Sequence, residues 1–175
     1  MANWDVAVMA MALLSALGFL IADGEKKRVR FIQAMRRCLL RMNDIIRYEQ
    51  PALPELLRRI ELHATPQERE LTRILHASAA RLEQCASPQL MLLFAGESAR
   101  LPGYGVLSEE DRSAFERVLG ELGRTGLAEQ LRLIDEADER LRAREEILRA
   151  EAGKRAQLIR TLGLTGGAAA FLILI

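Results

Sequence analysis

The chain has 175 residues and a net charge of +1, and half of its residues are hydrophobic while only 5% are aromatic. That is one domain's worth of chain, and its balanced charge excludes a polyanion binder as a whole. Val, Ile, Thr and Tyr are sparse beside Ala, Leu, Arg and Glu, a mixture that favours helices over sheets.

Residues 6–22 form an apolar run broken only by Ser15 and Gly18. As a helix it reaches roughly 26 Å, just short of a hydrocarbon core of about 30 Å. Its Val, Leu, Phe and Ile residues favour insertion by about 2 to 5 kcal/mol. A cleaved signal peptide wants positive charge ahead of the apolar run. Here Asp5 precedes it, and Lys26, Lys27, Arg28 and Arg30 follow. By the positive-inside rule residues 1–25 are an uncleaved anchor with the N-terminus outside and the rest in the cytoplasm. Trp4 then sits at the outer interface, and the four cations meet lipid heads at the inner one.

Past Lys26 the chain turns amphipathic. Ile32, Met35, Leu39, Met42 and Ile46 step by three and four, with Arg30, Arg37, Arg41 and Asp44 off that stripe. Pro51 and Pro54 end the helix near Tyr48. Arg36, Arg37 and Arg41 read either as a solvated face near lipid or as a docking surface for an acidic partner. Cys38 lies among these apolar neighbours. Like Cys85, it reads as a small buried side chain, because two distant cysteines make no disulfide framework.

Pro54 opens a short helix expected to run to Leu62. Thr65, Pro66 and Glu68 make a capping box for a helix carrying Leu71, Ile74, Leu75, Ser78 and Leu82. Ser87 and Pro88 begin another, with residues 90–94 apolar, and residues 101–105 read as a surface loop. Ser108 followed by Glu109, Glu110 and Asp111 caps the next helix, where acids suit the dipole. Gly123 supplies a left-handed stop and Gly126 a tight reversal. The two helices flanking this bend should therefore lie antiparallel. The second, residues 127–157, carries Leu127, Leu131, Ile134, Ala137, Leu141 and Leu148 on one face. Asp135, Asp138 and Glu139 read as its solvated side, with Arg132, Arg140, Arg142 and Arg144 placed for i,i+4 pairs.

Residues 158–175 are apolar again and just long enough to cross if Arg160 snorkels. Lys154, Arg155 and Arg160 put the preceding domain in the cytoplasm, in agreement with the first basic collar. The reading is all-α: an antiparallel bundle of about six helices over residues 26–157, between two apolar membrane segments.

Nothing marks a catalytic centre. There is no nucleotide loop, and the glycines at 103, 105, 123 and 126 punctuate turns. His63 and His76 lack partner ligands at metal spacing, and no nucleophile sits on a strained turn. The arginine face lacks the stacking aromatics of a nucleic-acid binder. Neither an enzyme nor a cofactor or metal protein is indicated.

Several segments resemble the stage III sporulation protein AB family. They are residues 45–48 followed by 51–55, residues 107–111, residues 122–125 with Gln130, and residues 162–167 before the apolar tail. The likeness covers essentially the whole chain. It implies a non-enzymatic platform protein of the mother-cell membrane, within a secretion-like complex that spans the two membranes between mother cell and forespore. The cytoplasmic part is implied to be similar to the six-helix domain of the type II secretion inner-membrane platform. Implied partners are a sister secretion-type ATPase, other membrane proteins of the complex and membrane lipid. The candidate contact residues are Arg36, Arg37, Arg41 and Arg124. The alternative is a membrane-anchored signalling adaptor, a homo-oligomer dimerising through the helix of residues 127–157. Asp138 and Glu145 interrupt the apolar seam which that rod requires.

Overall fold

The computed structural model describes the backbone of residues 2–84, 89–99 and 103–174 and the side chains of residues 26–84, 89–99 and 103–154. Its elements are α1 (Ala2–Tyr48), α2 (Leu53–Arg58), α3 (Pro66–Gln84), α4 (Leu90–Ser98), a 3-10 turn (Tyr104–Val106), α5 (Glu109–Glu121) and α6 (Leu127–Leu174). No strand occurs among the described residues, so the all-α expectation holds.

Local chemistry sets the helix boundaries. At the head of α3 the Thr65 hydroxyl accepts the Glu68 amide at 3.2 Å, and the Glu68 carboxylate accepts the amides of Ala64 and Thr65 in return. Ser108 and Asp111 do the same for α5. Gly123 takes φ +77°, the left-handed stop the sequence predicts. Its neighbour Leu122 turns its side chain inward, and the chain reverses into α6.

One core joins the helices. The α1 stripe Ile32, Met35, Leu39, Met42 and Ile46 is buried, as are Leu57, Leu71 and Leu75 of α2 and α3. From α6 come Leu133, Ile134, Ala137, Leu141 and Leu148. Cys38 is fully buried in this core, and burial alone pushes its thiol pKa upward. Cys85 lies outside the described residues.

Three expectations need revision. α2 stops at Arg58 rather than reaching Leu62. Beyond it, the amide and carbonyl of Leu62 both bond the Thr72 hydroxyl, a partner no helix would offer, and Ile60 turns into the core. α4 starts at Leu90, with Gln89 as its cap, and continues to Ser98; Ser87 and Pro88 lie outside the described residues. The supposed surface loop at 101–105 is partly core. Residues 101 and 102 are not described, but Tyr104 is only 3% exposed. Its ring meets Phe31 and Phe94 edge-on, at 5.8 and 5.7 Å between centroids, and its hydroxyl donates to Glu116 at 2.9 Å. Gly103 allows this approach, since a Cβ there would stand 2.9 Å from Phe31 Cε2.

α1 and α6 continue as helices through residues 25 and 157, the expected edges of the bundle domain. Among the described residues no helix is long and apolar enough to cross a membrane. The apolar runs at 6–22 and 158–175, with Trp4, Arg155 and Arg160, lie outside the residues whose side chains are described.

Replacing Tyr104 by Ala is expected to cost about 3 kcal/mol, as for a large buried ring. Denaturant unfolding of the full chain checks this; a surface-loop tyrosine would move the midpoint hardly at all.

Candidate interaction surfaces

The polar side of α1 faces α6, and the two are stitched by a ladder of side chains. Asn43 donates to Asp135 at 2.7 Å. Arg36 grips Asp138 with two bonds, at 2.8 and 3.2 Å, and reaches Glu145 at 2.9 Å. Gln33 donates to the other Glu145 oxygen at 2.8 Å. As the α1 numbers fall, the α6 numbers rise, so the pair is antiparallel. The N-terminal part of α1 and the C-terminal part of α6 therefore leave the bundle at the same end, the collar. The bend between α5 and α6 lies at the opposite, distal end, where Gly123 stands against Leu53 of α2.

At the collar Asp111 closes the ladder, its side chain fully buried. It accepts Arg28 Nε at 2.6 Å, Arg144 Nε at 2.9 Å and the Ser108 amide at 3.2 Å. One carboxylate thus joins α1, α5 and α6. Burial pushes its pKa up, but the bonds from Arg144, Arg28 and Ser108 outweigh burial and hold it below the usual carboxylate value. Glu145, 5% exposed, behaves alike: burial raises its pKa, and Gln33, Arg36 and Arg149 pull it down further than that.

These contacts revise the reading of the acids on α6. Asp138 and Glu145 are ties to α1, because paired guanidinium and amide groups make up for their lost hydration, whereas Asp135 and Glu139 stay exposed as expected, Asp135 while accepting the Asn43 amide. Local pairs of the expected kind join Arg132 to Glu129 and Glu136, Arg142 to Glu146 and Arg149 to Glu145.

The predicted contact residues separate accordingly. Arg36 is held within the bundle, and its pKa is raised chiefly by the Asp138 bond. Arg28, expected at the lipid interface, turns inward to Asp111 and Ser108. Arg37 is 46% exposed while touching Glu68 at 2.5 Å. Arg41, Arg124, Arg30, Lys26, Lys27 and Lys154 are exposed. Arg30, Arg37, Leu40, Arg41, Asp44 and Tyr48 line one open stripe of α1 from collar to tip.

At the tip is a groove of about 200 Å³. Ile46, Pro51, Leu53, Leu122 and Leu127 form its apolar walls, and Gln50 and Gln130 add polar ones. Gln130 donates to the Thr125 carbonyl at 2.6 Å, which fastens the bend to α6. Gln50 stands at φ +47°, a left-handed conformation uncommon outside glycine. Sequence reasoning missed the groove, because two segments far apart in the chain, residues 46–56 and 122–130, build it. A signal was available: residues 45–48, 51–55, 122–125 and Gln130, which carried the family resemblance, all meet here, and residues 107–111 form the collar clamp.

Residues 3–175 match the family model described as stage III sporulation protein AB. No curated protein and no solved structure matches.

Replacing Asp111 by Ala strands Arg28 and Arg144 and is expected to cost about 3 kcal/mol. Reversing Arg41 to Glu should stay within about 0.5 kcal/mol. Both can be read from denaturant unfolding of the full chain. Asp111 and Glu145 have folded-state pKa values below their unfolded ones. Their contribution is complete above the unfolded values and is lost as pH falls through the folded ones. The unfolding midpoint should therefore hold steady above about pH 5.5 and fall from about pH 5 to pH 3, more shallowly in an Asp111→Asn variant.

Proposed function

Since the chain belongs to the stage III sporulation protein AB family, whose role is in sporulation, we propose that it is a non-enzymatic platform component of a secretion-like complex between mother cell and forespore. The observation that carries this reading is the shared exit of α1 and α6. Two long helices, locked antiparallel by the polar ladder, leave the bundle at one end and continue into the apolar runs at 6–22 and 158–175. Such a bundle hangs from one membrane by both ends, in the mother-cell membrane around the forespore, with its bulk in the cytoplasm. Lys26, Lys27, Arg30 and Lys154 at the collar suit anionic lipid heads.

The distal end and the open α1 stripe then face the cytoplasm. A sister secretion-type ATPase is the partner in this reading, with Arg37, Arg41 and Arg124 as contacts and Arg36 as the residue that fixes the face. Other membrane proteins of the complex engage the collar side. The adaptor alternative is less favoured, because Leu133, Ile134, Ala137, Leu141 and Leu148 already spend the apolar face of α6 inside the bundle. A rod-like dimer would need that face free.

Reversing Arg41, which is exposed and makes no ion pair among the described residues, to Glu is expected to weaken capture of the co-produced ATPase about tenfold, with the helical circular-dichroism signal intact. Unchanged capture removes this face. The topology has its own check: a protease added outside intact cells should find no cut between Lys26 and Lys154.

A further inference from the structure

The open side of the α1–α6 pair carries its charge in two strips of opposite sign. In right-handed helices that run antiparallel, the residue after each ladder residue points to the same side of the plane the two helices share. Arg37 and Asp44 on α1, and Glu139 and Glu146 on α6, follow Arg36, Asn43, Asp138 and Glu145, and all four are exposed. On the α1 strip Lys26, Arg30, Arg41 and Arg47 stand against Asp44, while Arg37 is answered by Glu68. On the α6 strip Asp135, Glu139 and Glu146 stand against Arg142, and Arg132 meets two acids, Glu129 and Glu136. The remaining charges, Arg36 and Arg149 with Asp138 and Glu145, cancel within the ladder. The strips are thus opposite and equal, and the face as a whole is neutral.

An occupant of one sign gains on one strip what it loses on the other. A half-turn about an axis along the bundle, in contrast, sets each strip against its opposite, so the surface complements itself. Leu40 adds an apolar point on that axis. Four residues after Arg36 and three before Asn43, it lies on the ladder stripe, yet α6 leaves it 49% exposed.

We infer that two copies pair side by side through this face, with α1 of each on α6 of the other. This pairing rests on the platform reading in one respect: copies held at both ends in one membrane stand upright at the same height. The ladder then sets which residues meet. Asn43 is level with Asp135, and Gln33 with Glu145. At about 1.5 Å per residue, Arg41 comes within about half a turn of the partner's Glu139, Arg30 of the partner's Glu146 and Tyr48 of the partner's Leu131. Leu40 faces its own copy across the axis. Arg37 meets the partner's Arg142, but Glu68 and Glu146 already hold these two. Asp44 meets the partner's Asp135, and that rung is repulsive. Exposed pairs contribute little each, so the pairing is weak in free solution and depends on confinement to one membrane. Arg41 is also an ATPase contact in the platform reading, so the second copy and the ATPase exclude each other on this face.

The test uses the purified full chain, with Cys85→Ser and Leu40→Cys, at low density in phosphatidylcholine vesicles oxidised with copper phenanthroline. Cys38 is fully buried and stays unreactive. A disulfide-linked dimer is expected, forming well above the rate of a Ser113→Cys control, whose cysteine is exposed on α5. Adding Glu139→Arg should slow crosslinking about tenfold, since two attractive pairs per dimer become repulsive. Adding Arg41→Glu to that variant should restore it. Arg41 and Glu139 are exposed and make no ion pair among the described residues, so the variants keep their unfolding midpoint. A rate no higher than the control overturns the proposal, as does one that ignores Glu139→Arg or is not restored by the swap. Failed crosslinking with ATPase capture still lowered by Arg41→Glu leaves the platform reading standing. Swap-restored crosslinking with capture indifferent to Arg41→Glu strikes the ATPase contact alone.

Discussion

Everything in this bundle depends on the pairing of α1 with α6 through buried carboxylates. Asp111 and Glu145 sit almost without solvent, and each is met by two or more donors. Such ties add little net stability over a well-packed apolar seam, since desolvation offsets most of the Coulombic gain. Their effect is on register. Two apolar helix faces can slide by a turn at modest cost, but a one-turn slip here would carry Arg36 away from Asp138 and strip Glu145 of Arg36 and Gln33, leaving it only Arg149 of its own helix. The ladder therefore admits one alignment, and that alignment fixes where both helix ends emerge.

The level of the exit is marked in the sequence as well. α1 carries Gly24 and α6 carries Gly153, which the antiparallel register brings to nearly the same height. A Cβ at either would meet nothing within 4 Å, so packing does not demand a glycine at either place. A glycine inside a helix costs about 1 kcal/mol relative to alanine. Each helix thus carries a locally softer position just beyond the Asp111 clamp, while the segment below it is held by the ladder. Rigid-body movement of the bundle would bend both helices at one level.

Much of this was legible in the sequence where a single residue decides its own surroundings. The Thr65 and Ser108 caps, the Gly123 stop and the α1 stripe from Ile32 to Ile46 follow from local geometry, and all are found. What the sequence concealed was long-range pairing. Asp138 looks solvated beside Arg142 four residues on, and only the α1 register reveals that Arg36 claims it. Tyr104 resembles a loop residue between two glycines, yet Phe31 and Phe94, distant in the chain, make it part of the core. The α2 end was misplaced for the same reason, since the Thr72 hydroxyl that draws Leu62 out of the helix lies ten residues on.

The two ends of the bundle are built on opposite principles, and that contrast bears on function. At the collar every buried charge is answered: Asp111 by Arg28, Arg144 and the Ser108 cap. At the tip, polar and apolar groups are left unanswered, with Tyr48 exposed, Arg124 without an ion pair among the described residues and a groove open between Leu53 and Leu127. A chain under pressure only to fold would close such a groove with one larger side chain or a shorter loop, and would relax Gln50 out of its left-handed backbone. The ladder then has a second consequence: a load applied at the tip reaches the collar through two helices that cannot slip past each other.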